Sequence, residues 1–360
     1  MQKIILFTDS LGPGGAQRQL CGLAVMLKKL NYDVTVLTYY KNEFYKNYLD
    51  ENCVRSVFVE DSSKCPLGRI LSIREFLKKE SPDYVIAYLE TPSLIASLIK
   101  LSGLKFKLIV SERNTTQKVI FRDRIRFLLY RLADSIVPNS YSQEAFLASR
   151  YNWMVRKLKT ITNFVDLDTF SYNEHVRNKI PLIVIVASIW PSKNTLGFIE
   201  ALRILSDCNL HFQVKWYGYS EANDSYFKQA QSNISEYGLN HIIELLPKTQ
   251  NIRDVYRHSD YFCLPSFYEG VPNVIAEAMA TGRPILCSNV CDNPRYVNEG
   301  VNGYLFDPNN SEDIAKQILK CLLISDKEYN QMCQESRKRA EEMLSTDTFI
   351  NKYTEILKEC

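Results

Sequence analysis

The chain has 360 residues, of which 46% are hydrophobic and 24% charged, a composition typical of globular proteins with room for about two domains. Its net charge of +3 is too small to indicate binding to nucleic acid. The 10 cysteines are scattered without a CxxC pair or a Cys/His cluster, which predicts reduced core thiols, a reducing compartment and no metal site.

The first part of the chain, residues 1–165, alternates strand and helix patterns. Such alternation predicts a doubly wound α/β domain whose binding crevice lies at the carboxyl ends of its strands. The first apolar run ends at Asp9, too early for a signal peptide, and no uninterrupted apolar stretch reaches membrane-spanning length. We therefore expect a cytoplasmic protein, either soluble or attached to the inner face of the cytoplasmic membrane. The predicted strands are Ile4–Thr8, Val34–Thr38, Tyr84–Tyr88, Leu108–Val110 and Ile136–Pro138.

A glycine-rich loop, residues 9–15, joins the first strand to a helix with apolar residues at helical spacing. Gly12, Gly14 and Gly15 do not fit the G-x-G-x-x-G fingerprint of dinucleotide-binding proteins, and no acidic residue after the second strand is placed to bind a ribose. A nicotinamide-dependent oxidoreductase is therefore disfavoured. Gly14 and Gly15 either form a turn that starts the helix or contact a ligand, and the sequence leaves both readings open.

Residues 118–132, KVIFRDRIRFLLYRL, form a basic amphipathic segment. It contains five basic residues and one acidic residue, Asp123, interspersed with large apolar side chains. A helix of this kind can lie on an anionic membrane surface. The alternative is an ordinary domain helix with a charged outer face. The basic residues are Lys118, Arg122, Arg124, Arg126 and Arg131.

The alternation pauses around Asn163–Phe170, and the polar segment Ser171–Lys179 that follows reads as a linker. We therefore predict one domain at residues 1–168 and a second at residues 169–344. The last helix, at about residues 345–360, has an apolar face that we expect to pack against the protein. Strands of the second domain are predicted at Leu182–Ala187, Gln213–Tyr217, Ile242–Leu246, Tyr261–Leu264, Pro284–Cys287 and Tyr304–Phe306.

The most informative stretch is residues 263–288, CLPSFYEGVPNVIAEAMATGRPILCS. The pattern predicts a strand, a loop, a helix and another strand, with Pro272 as the first helical residue and Gly282 just past the last. Glu277 is flanked in that helix by apolar residues, where an unpaired carboxylate is unfavourable. Glu269 lies in the preceding loop. Two glutamates around a helix N-terminus indicate a polyhydroxylated, anionic ligand held by carboxylates and backbone amides.

Residues 265–280, PSFYEGVPNVIAEAMA, closely resemble the E-x7-E region of retaining, nucleotide-sugar-dependent glycosyltransferases of group 1 (family four). The resemblance implies the GT-B architecture, two Rossmann-like doubly wound α/β domains facing a central cleft. The N-terminal domain would bind the acceptor, the C-terminal domain would bind the donor, and the final helix would pack back on the N-terminal domain. Further segments resemble the family in order along the chain: Gly14-Gly15-Ala16, Val137–Ser140, Ile161–Asp166, Ser188–Asn194 and Asn302–Phe306.

The resemblance implies roles for three side chains of the C-terminal domain. Glu269 would bind hydroxyls of the transferred sugar, Glu277 would bind the ribose of the nucleotide, and Lys193 would bind the diphosphate. Glu269 and Lys193 are therefore candidate catalytic residues. The family needs no metal or other cofactor, since the nucleotide sugar is a co-substrate. Further donor-binding candidates are Gly270, Val271, Pro272, Asn273, Ser188, Gly14 and Gly15.

The chain departs from the family beside the expected diphosphate site. Relatives usually carry an arginine together with the lysine, and this chain has Ser188 at the arginine position. Lys193 and the helix amides would then hold the diphosphate alone, unless Arg113 or Arg283 contributes a charge from elsewhere.

A second departure concerns the N-terminal domain. Many relatives carry a histidine or aspartate after the strand that matches Leu108–Val110, where this chain reads Ser111-Glu112-Arg113-Asn114. Glu112 is the nearest acidic group and is the third candidate catalytic residue. Arg113 and Asn114 are candidates on the acceptor side.

These residues together predict a retaining hexosyltransferase. It would move a sugar from a nucleotide-diphosphate sugar to a hydroxyl of a growing glycan, lipid-linked and destined for a surface polysaccharide. Attack on the same face as the departing diphosphate, with the diphosphate as base, is the mechanism that the resemblance implies. Two alternatives stay open, a sugar-nucleotide epimerase of the same architecture and a sugar-nucleotide-binding protein that has lost catalysis.

Overall fold

The structure, a computed structural model, describes residues 1–60, 65–114, 116, 119–208, 210–219, 225–270 and 272–360. It divides into two compact units. Unit 1 contains Met1–Asn163 and Phe349–Cys360, and unit 2 contains Phe164–Thr348. The first division thus falls after Asn163 rather than after residue 168, and the second falls near the start of the last helix.

Unit 1 is built on a six-stranded parallel sheet. Its inner strands are near-continuous apolar runs because helices cover both faces, and all five residues of Tyr84–Tyr88 are buried. The strands are β1 (Lys3–Phe7), β2 (Asp33–Thr38), β3 (Arg55–Phe58), β4 (Tyr84–Tyr88), β5 (Lys107–Glu112) and β6 (Ser135–Pro138).

Unit 2 repeats this plan with a second six-stranded parallel sheet. Its core joins the apolar faces of the strands to the flanking helices, with the fully buried Trp216 among the largest side chains. The strands are β7 (Leu182–Val186), β8 (Gln213–Tyr219), β9 (Ile243–Pro247), β10 (Tyr261–Leu264), β11 (Ile285–Ser288) and β12 (Gly303–Phe306).

Both sheets have the same strand order. Unit 1 runs β3-β2-β1-β4-β5-β6 and unit 2 runs β12-β11-β10-β7-β8-β9, which is 3-2-1-4-5-6 when each unit's strands are counted from its own start. In such a sheet the chain reverses its direction of winding between the first and fourth strands, and the crevice at their carboxyl ends is the usual binding position. The predicted α/β class with two doubly wound domains is confirmed.

Fourteen α-helices are described around these sheets. Unit 1 has α1 (Gly15–Lys29), α2 (Lys46–Glu51), α3 (Pro66–Glu80), α4 (Glu90–Leu101), α5 (Phe121–Leu129) and α6 (Tyr141–Arg150). Unit 2 has α7 (Thr195–Ser206), α8 (Ser225–Glu236), α9 (Ile252–Arg257), α10 (Asn273–Ala280), α11 (Asn293–Tyr296), α12 (Ser311–Leu323) and α13 (Asp326–Leu344). The last helix, α14, spans Thr346–Glu359.

Helix α10 starts and ends where its sequence signals predict, to within one residue. Pro272 is the N-cap, so the first helical residue is Asn273 rather than the proline. Gly282 has a left-handed φ of +79° just past the end, a conformation that glycine adopts without strain. A Cβ at this position would also lie 2.5 Å from the ring of Tyr172. The cap therefore fixes both the length and the packing of the helix.

The C-terminal part of α14 belongs to unit 1. Phe349, Tyr353, Ile356 and Leu357 form its buried face, which is the apolar face visible in the sequence. The hydroxyl of Tyr84 in β4 donates to the backbone oxygen of Leu357 at 2.8 Å. The end of the chain is thus part of the fold of unit 1.

Two features of unit 1 differ from the sequence predictions. No apolar run in the sequence marks strand β3, because it is the edge strand and its residues are only partly buried. In the basic segment, Arg126 is buried rather than placed on a charged outer face, while Lys118 lies outside the described residues.

Candidate functional site

Two loops of unit 2 leave the sheet at its winding reversal, between β7 and β10. The loop after β7 contains Ser188 and ends in a short 3₁₀ turn, Pro191–Lys193. The loop after β10 contains residues 266–270 and leads into α10. The backbone N–H of Phe267 donates to the carbonyl oxygen of Ser192 at 3.0 Å, so the two loops are hydrogen-bonded to each other.

The carboxylate of Glu269 accepts hydrogen bonds from both loops. Its Oε1 lies 2.5 Å from Nζ of Lys193 and 2.6 Å from Oγ of Ser266. Ser266 is fully buried, whereas the side chains of Lys193 and Glu269 remain partly exposed, at 23% and 12%. An ammonium and a carboxylate that touch each other and also reach solvent can each be reached by a polar ligand. The structure brings together the two residues predicted as catalytic in this unit.

Glu277 lies on α10 with an exposed fraction of 3%. It is surrounded by apolar neighbours of its own helix, and its Oε2 accepts a hydrogen bond of 3.0 Å from the hydroxyl of Tyr256. A buried carboxylate needs hydrogen-bond donors, and none is evident among its apolar neighbours in the sequence. The hydroxyl of Tyr256 is one such donor. No sequence pattern marks Tyr256, which lies on the short helix α9.

The remaining donor-side candidates of unit 2 are distributed around these loops. Ser188 is exposed immediately after β7, Gly270 is half-buried, and Pro272 and Asn273 begin α10. Because α10 begins here, its N-terminal amides and the positive end of its dipole lie next to residues 269–270. Val271 lies outside the described residues. The roles of all these residues stay predictions.

Gly218 is a position that the sequence did not single out. A Cβ placed on it would lie 1.9 Å from the carbonyl oxygen of Ala187 and 3.0 Å from the backbone nitrogen of Ser188. The backbone of β8 therefore approaches the end of β7 so closely that only glycine fits. This close approach fixes where the Ser188 loop begins.

Arg283, considered as a replacement charge for the missing arginine, is fully buried. Its guanidinium donates to the backbone oxygens of Ser259, Asn173 and Thr281 at 2.9–3.3 Å. These contacts tie the end of α10 to its neighbours and favour a structural role. Lys193, whose side chain is 23% exposed, has the solvent access that Arg283 lacks.

In unit 1 the glycine loop follows β1 at the winding reversal of the first sheet. Gly14 is the N-cap of α1, and Gly15 is its first residue. The amide of Gln17 donates to Oδ1 of Asp9 at 2.9 Å and ties the helix to the loop. A cavity of about 120 Å³ opens beside this loop, at the carboxyl ends of β2 and β3. Direct contact of Gly14 or Gly15 with a ligand stays a prediction.

Glu112 is the last residue of β5 and is 1% exposed. Its Oε1 accepts from the hydroxyl of Tyr130 and lies 3.4 Å from Nη1 of Arg126. Burial raises the pKa of Glu112, although the charge of Arg126 and the hydrogen bond from Tyr130 act in the opposite direction. These contacts favour a structural role, and catalysis by Glu112 stays a prediction.

Arg113 is also buried. Its guanidinium donates to the hydroxyls of Tyr88 and Tyr353 at 2.6 and 2.7 Å and to Oδ1 of Asn163 at 3.2 Å. Asn114, in contrast, is exposed. Of the two acceptor-side candidates, the exposed Asn114 has the access that ligand contact needs.

A cavity of about 550 Å³ lies elsewhere in unit 2. It is lined by the first residues of β8 and β9 and by residues 240–242, at the amino ends of the strands. Because ligands of doubly wound sheets bind at the carboxyl ends, we place the candidate site at the Lys193 and Glu269 loops instead. Among the described residues, no group of three or more His, Cys, Asp or Glu is arranged to hold a metal ion.

Comparison with known proteins agrees with this architecture. Residues 13–169 match the family model described as Glycosyltransferase Family 4, and residues 169–339 match the model described as glycosyl transferases group 1. In solved structures, a glycosyltransferase from Rickettsia africae has a TM-score of 0.87 at 19% identity, covering 99% of this chain and 98% of that one. Anabaena Alr3699/HepE in complex with UDP and glucose has a TM-score of 0.86 at 17% identity, with both chains fully covered. These likenesses show the GT-B fold.

Two curated relatives are similar over most of their length. A Campylobacter jejuni α-1,4-N-acetyl-D-galactosaminyltransferase, named for a diphospho-undecaprenol-linked acceptor, is 27% identical over 78% of this chain and 77% of its own. An Escherichia coli UDP-Gal:α-D-GlcNAc-diphosphoundecaprenol α-1,3-galactosyltransferase is 25% identical over 81% of this chain and 80% of its own. Two consecutive family models, full-length structural similarity and these relatives agree, and the chain therefore belongs to the group 1 glycosyltransferases.

Proposed function

We propose that this glycosyltransferase moves a hexose-type sugar, with retention of configuration, from a nucleotide-diphosphate sugar to a hydroxyl of a lipid-linked glycan. The observation that carries the proposal is the Lys193–Glu269 pair, held by two loops at the winding reversal of the second sheet and next to the start of α10. The undecaprenyl-diphosphate-linked acceptors in the names of the two relatives support the lipid-linked glycan. The α linkages in those names are the products that retention gives from an α-configured nucleotide sugar.

The donor diphosphate is bound by Lys193 and by the N-terminal end of α10. Transfer breaks the bond between the anomeric carbon and the diphosphate oxygen, so negative charge accumulates on the departing diphosphate. Cationic and amide donors that are already in place stabilise that charge without reorganising. Ser188 supplies a hydroxyl rather than the usual arginine charge, so this chain relies on Lys193 and the helix end more than its relatives do.

Glu269 binds hydroxyls of the transferred sugar, and Glu277 binds the ribose. A carboxylate suits both roles because it accepts from two neighbouring hydroxyls. Before the donor binds, Glu269 accepts from Lys193 and Ser266. Donor binding places the diphosphate beside Lys193 and the sugar hydroxyls beside Glu269. Each of the two side chains then replaces part of its contact with the other by a contact with the donor.

Retention follows if the acceptor attacks on the face from which the diphosphate leaves. The acceptor hydroxyl forms the new bond to the anomeric carbon as the old bond to the diphosphate oxygen breaks. Its proton passes to an oxygen of the departing diphosphate. Atoms and charges balance with nucleoside diphosphate and the extended glycan as products.

A lipid-linked acceptor requires access to a membrane surface, and α5 offers one in unit 1. This helix buries its charged Asp123 and Arg126, and Arg126 lies 3.3–3.6 Å from the carboxylates of Asp123, Glu112 and Glu90. Phe127 is buried beside them, but the N-cap residue Ile120 and the helix residues Phe121, Ile125 and Leu128 are 60%, 76%, 41% and 59% exposed.

The exposed apolar residues of α5 are accompanied by three exposed cations, Arg122, Arg124 and Arg131. Apolar side chains with adjacent arginines fit the boundary between anionic headgroups and acyl chains. We therefore place the enzyme at the inner face of the cytoplasmic membrane, with α5 against the lipid. No described helix is long and apolar enough to cross a membrane.

Donor binding and turnover are tested on the purified chain. Calorimetry with UDP, GDP and ADP identifies the nucleotide, and release of nucleoside diphosphate is then followed with the matching sugar donors and an undecaprenyl-diphosphate-linked acceptor. We expect Lys193→Ala and Glu277→Ala to lower donor affinity or transfer by at least tenfold, with Lys316→Ala on the exposed side of α12 as control. Nucleotide binding without transfer to any acceptor would favour the sugar-nucleotide-binding protein, and unchanged affinity and transfer in both variants would overturn the site.

Membrane contact is tested separately by co-sedimentation with phosphatidylglycerol-containing vesicles. The pair Phe121→Asp and Leu128→Asp should lower the partition coefficient by about 10- to 100-fold, because each removes an apolar side chain from the lipid. The pair Leu71→Asp and Leu101→Asp, which lie exposed on α3 and α4, is the matched control. Equal binding by both pairs would exclude α5 as the contact surface.

A further inference from the structure

The carboxylate of Glu277 is held by a hydroxyl from another helix. The phenol of Tyr256, on α9, donates to Oε2 of Glu277 at 3.0 Å, and both side chains are buried. The two residues are 21 positions apart in the chain. The orientation of this carboxylate is therefore set in part by a residue that does not belong to α10.

The ring of Tyr256 is itself fixed by aromatic packing. It lies 5.8 Å from the ring of Phe262 in β10, in an edge-to-face arrangement, and 6.1 Å from the tilted ring of Phe170. Tyr256 has no exposed surface, so its ring cannot turn into solvent and carry the hydroxyl away from Glu277. Such a donor is pre-organised, because the free energy of ordering it has already been met in folding.

A carboxylate on a flexible glutamate side chain can rotate about its last bonds. A hydrogen bond to one oxygen stops that rotation and directs the remaining lone pairs of the group. The two ribose hydroxyls are neighbours with fixed geometry, so they bind best to a carboxylate whose plane is already set.

We propose that Tyr256 is a positioning residue for the nucleotide ribose, acting through Glu277. This inference rests on the proposed function, which assigns the ribose to Glu277. It follows that the preference of the enzyme for a ribonucleotide over its dideoxy analogue depends on the hydroxyl of Tyr256.

The test compares UDP, GDP and ADP with their 2′,3′-dideoxy forms by calorimetry on the wild-type chain and on Tyr256→Phe. We expect the variant to bind the ribonucleotide about tenfold more weakly and the dideoxy form with unchanged affinity, so that the preference falls by the same factor. The variant Tyr261→Phe is the matched control. It removes an equally buried hydroxyl, which donates to the backbone oxygen of Cys321 at 3.0 Å, and should leave the preference intact.

A purely structural role for Tyr256 would lower the melting temperature and leave the preference unchanged, and this outcome would overturn the inference alone. Wild-type protein that binds none of the three nucleotides would instead overturn the proposed function. If Tyr256→Phe does not fold, Phe170→Leu loosens the same ring from one side, and an unchanged preference in that variant would count equally against the inference. In the background of Glu277→Ala, the effect of Tyr256→Phe on ribonucleotide affinity should disappear.

Discussion

The ammonium of Lys193 and the carboxylate of Glu269 neutralise each other at 2.5 Å across the two loops that leave the second sheet at its winding reversal. The residues are 76 positions apart, and the parallel strands β7 and β10 bring them together at one edge. Each is also the group that a nucleotide sugar would engage, one through its diphosphate and the other through its hexose. The ion pair therefore competes with the donor for both partners.

This competition predicts opposite effects on product binding and on turnover. In Glu269→Gln, Lys193 loses its anionic partner and becomes free for a diphosphate, so the affinity for the nucleoside diphosphate alone should rise about three- to tenfold. Transfer should fall by about 100-fold, because the hexose loses the carboxylate that orients it. Calorimetry and steady-state kinetics measure the two quantities.

The control for that variant is Glu244→Gln, an exposed glutamate in β9 whose loss should change neither quantity. A parallel fall in diphosphate affinity and transfer would show that Glu269 contacts the nucleotide part of the donor. A rise in diphosphate affinity together with a fall in transfer is therefore expected only if the donor replaces the ion pair between Lys193 and Glu269.

Ser266 is expected to affect turnover through Glu269. Its hydroxyl donates to the same Oε1 that contacts Lys193, at 2.6 Å, from a fully buried position. Ser266→Ala should lower kcat about tenfold and leave KM for the donor within about twofold, because the carboxylate is still present but less well oriented. Ser206→Ala on α7 is the control, and a large rise in KM with unchanged kcat would contradict this role.

The sequence predicts the backbone of this site better than its supporting contacts. Strands Tyr84–Tyr88 and Tyr261–Leu264 were predicted with their observed bounds, because a buried parallel strand is an unbroken apolar run. Glu269, Glu277 and Lys193 are candidates through a resemblance that extends along the chain, and their roles stay predictions. Ser266 and Tyr256 were missed because a supporting hydrogen bond between distant elements leaves no local pattern.

The helix pattern around Arg126 is predicted correctly, but the side of the helix on which Arg126 lies is not. The basic segment reads as a helix with its cations outside, yet Arg126 is buried within 3.6 Å of Glu112 and Glu90, which lie 14 and 36 positions earlier in the chain. Periodicity assigns charged residues to solvent unless a partner is known. Those partners come from β5 and α4, and only the folded sheet places them next to α5.

Arg113 is expected to stabilise the C-terminal helix rather than bind the acceptor. Its contacts with Tyr88, Tyr353 and Asn163 join β4, α14 and the end of the first segment of unit 1. Arg113→Met should lower the free energy of unfolding by about 3 kcal/mol, since it leaves buried hydroxyls without their charged donor. Hydrogen exchange in residues 349–359 should accelerate.

Arg156→Met, an exposed arginine of the same unit, is the control and should change the free energy of unfolding by less than about 0.5 kcal/mol. Normal unfolding of Arg113→Met together with loss of acceptor binding would restore the acceptor-side role that the sequence suggested. Arg113→Lys should not rescue stability, because an ammonium does not reproduce the fork of the guanidinium.

The buried carboxylate of Asp260 predicts how stability depends on pH. Its oxygens accept from His175 at 2.9 Å, from the backbone N–H and side-chain amide of Asn178 at 2.8 Å each, and from the N–H of Leu182 at 2.6 Å. Burial by itself would raise the pKa of Asp260, but the hydrogen bonds from His175, Leu182 and Asn178 hold the pKa below its usual value.

Because the pKa of Asp260 is lower in the folded than in the unfolded chain, its contribution to stability is complete above about pH 4 and is lost as the pH falls through the folded value. Asp260→Asn should therefore lower the free energy of unfolding by about 2 kcal/mol at pH 7 and flatten its decline below pH 4. Urea unfolding between pH 3 and pH 7 measures both effects. The control is Asp207→Asn, at the end of α7, which should show neither the lower stability at pH 7 nor the flatter decline. If the free energy of unfolding of Asp260→Asn stays parallel to that of the wild type down to pH 3, Asp260 does not control acid stability.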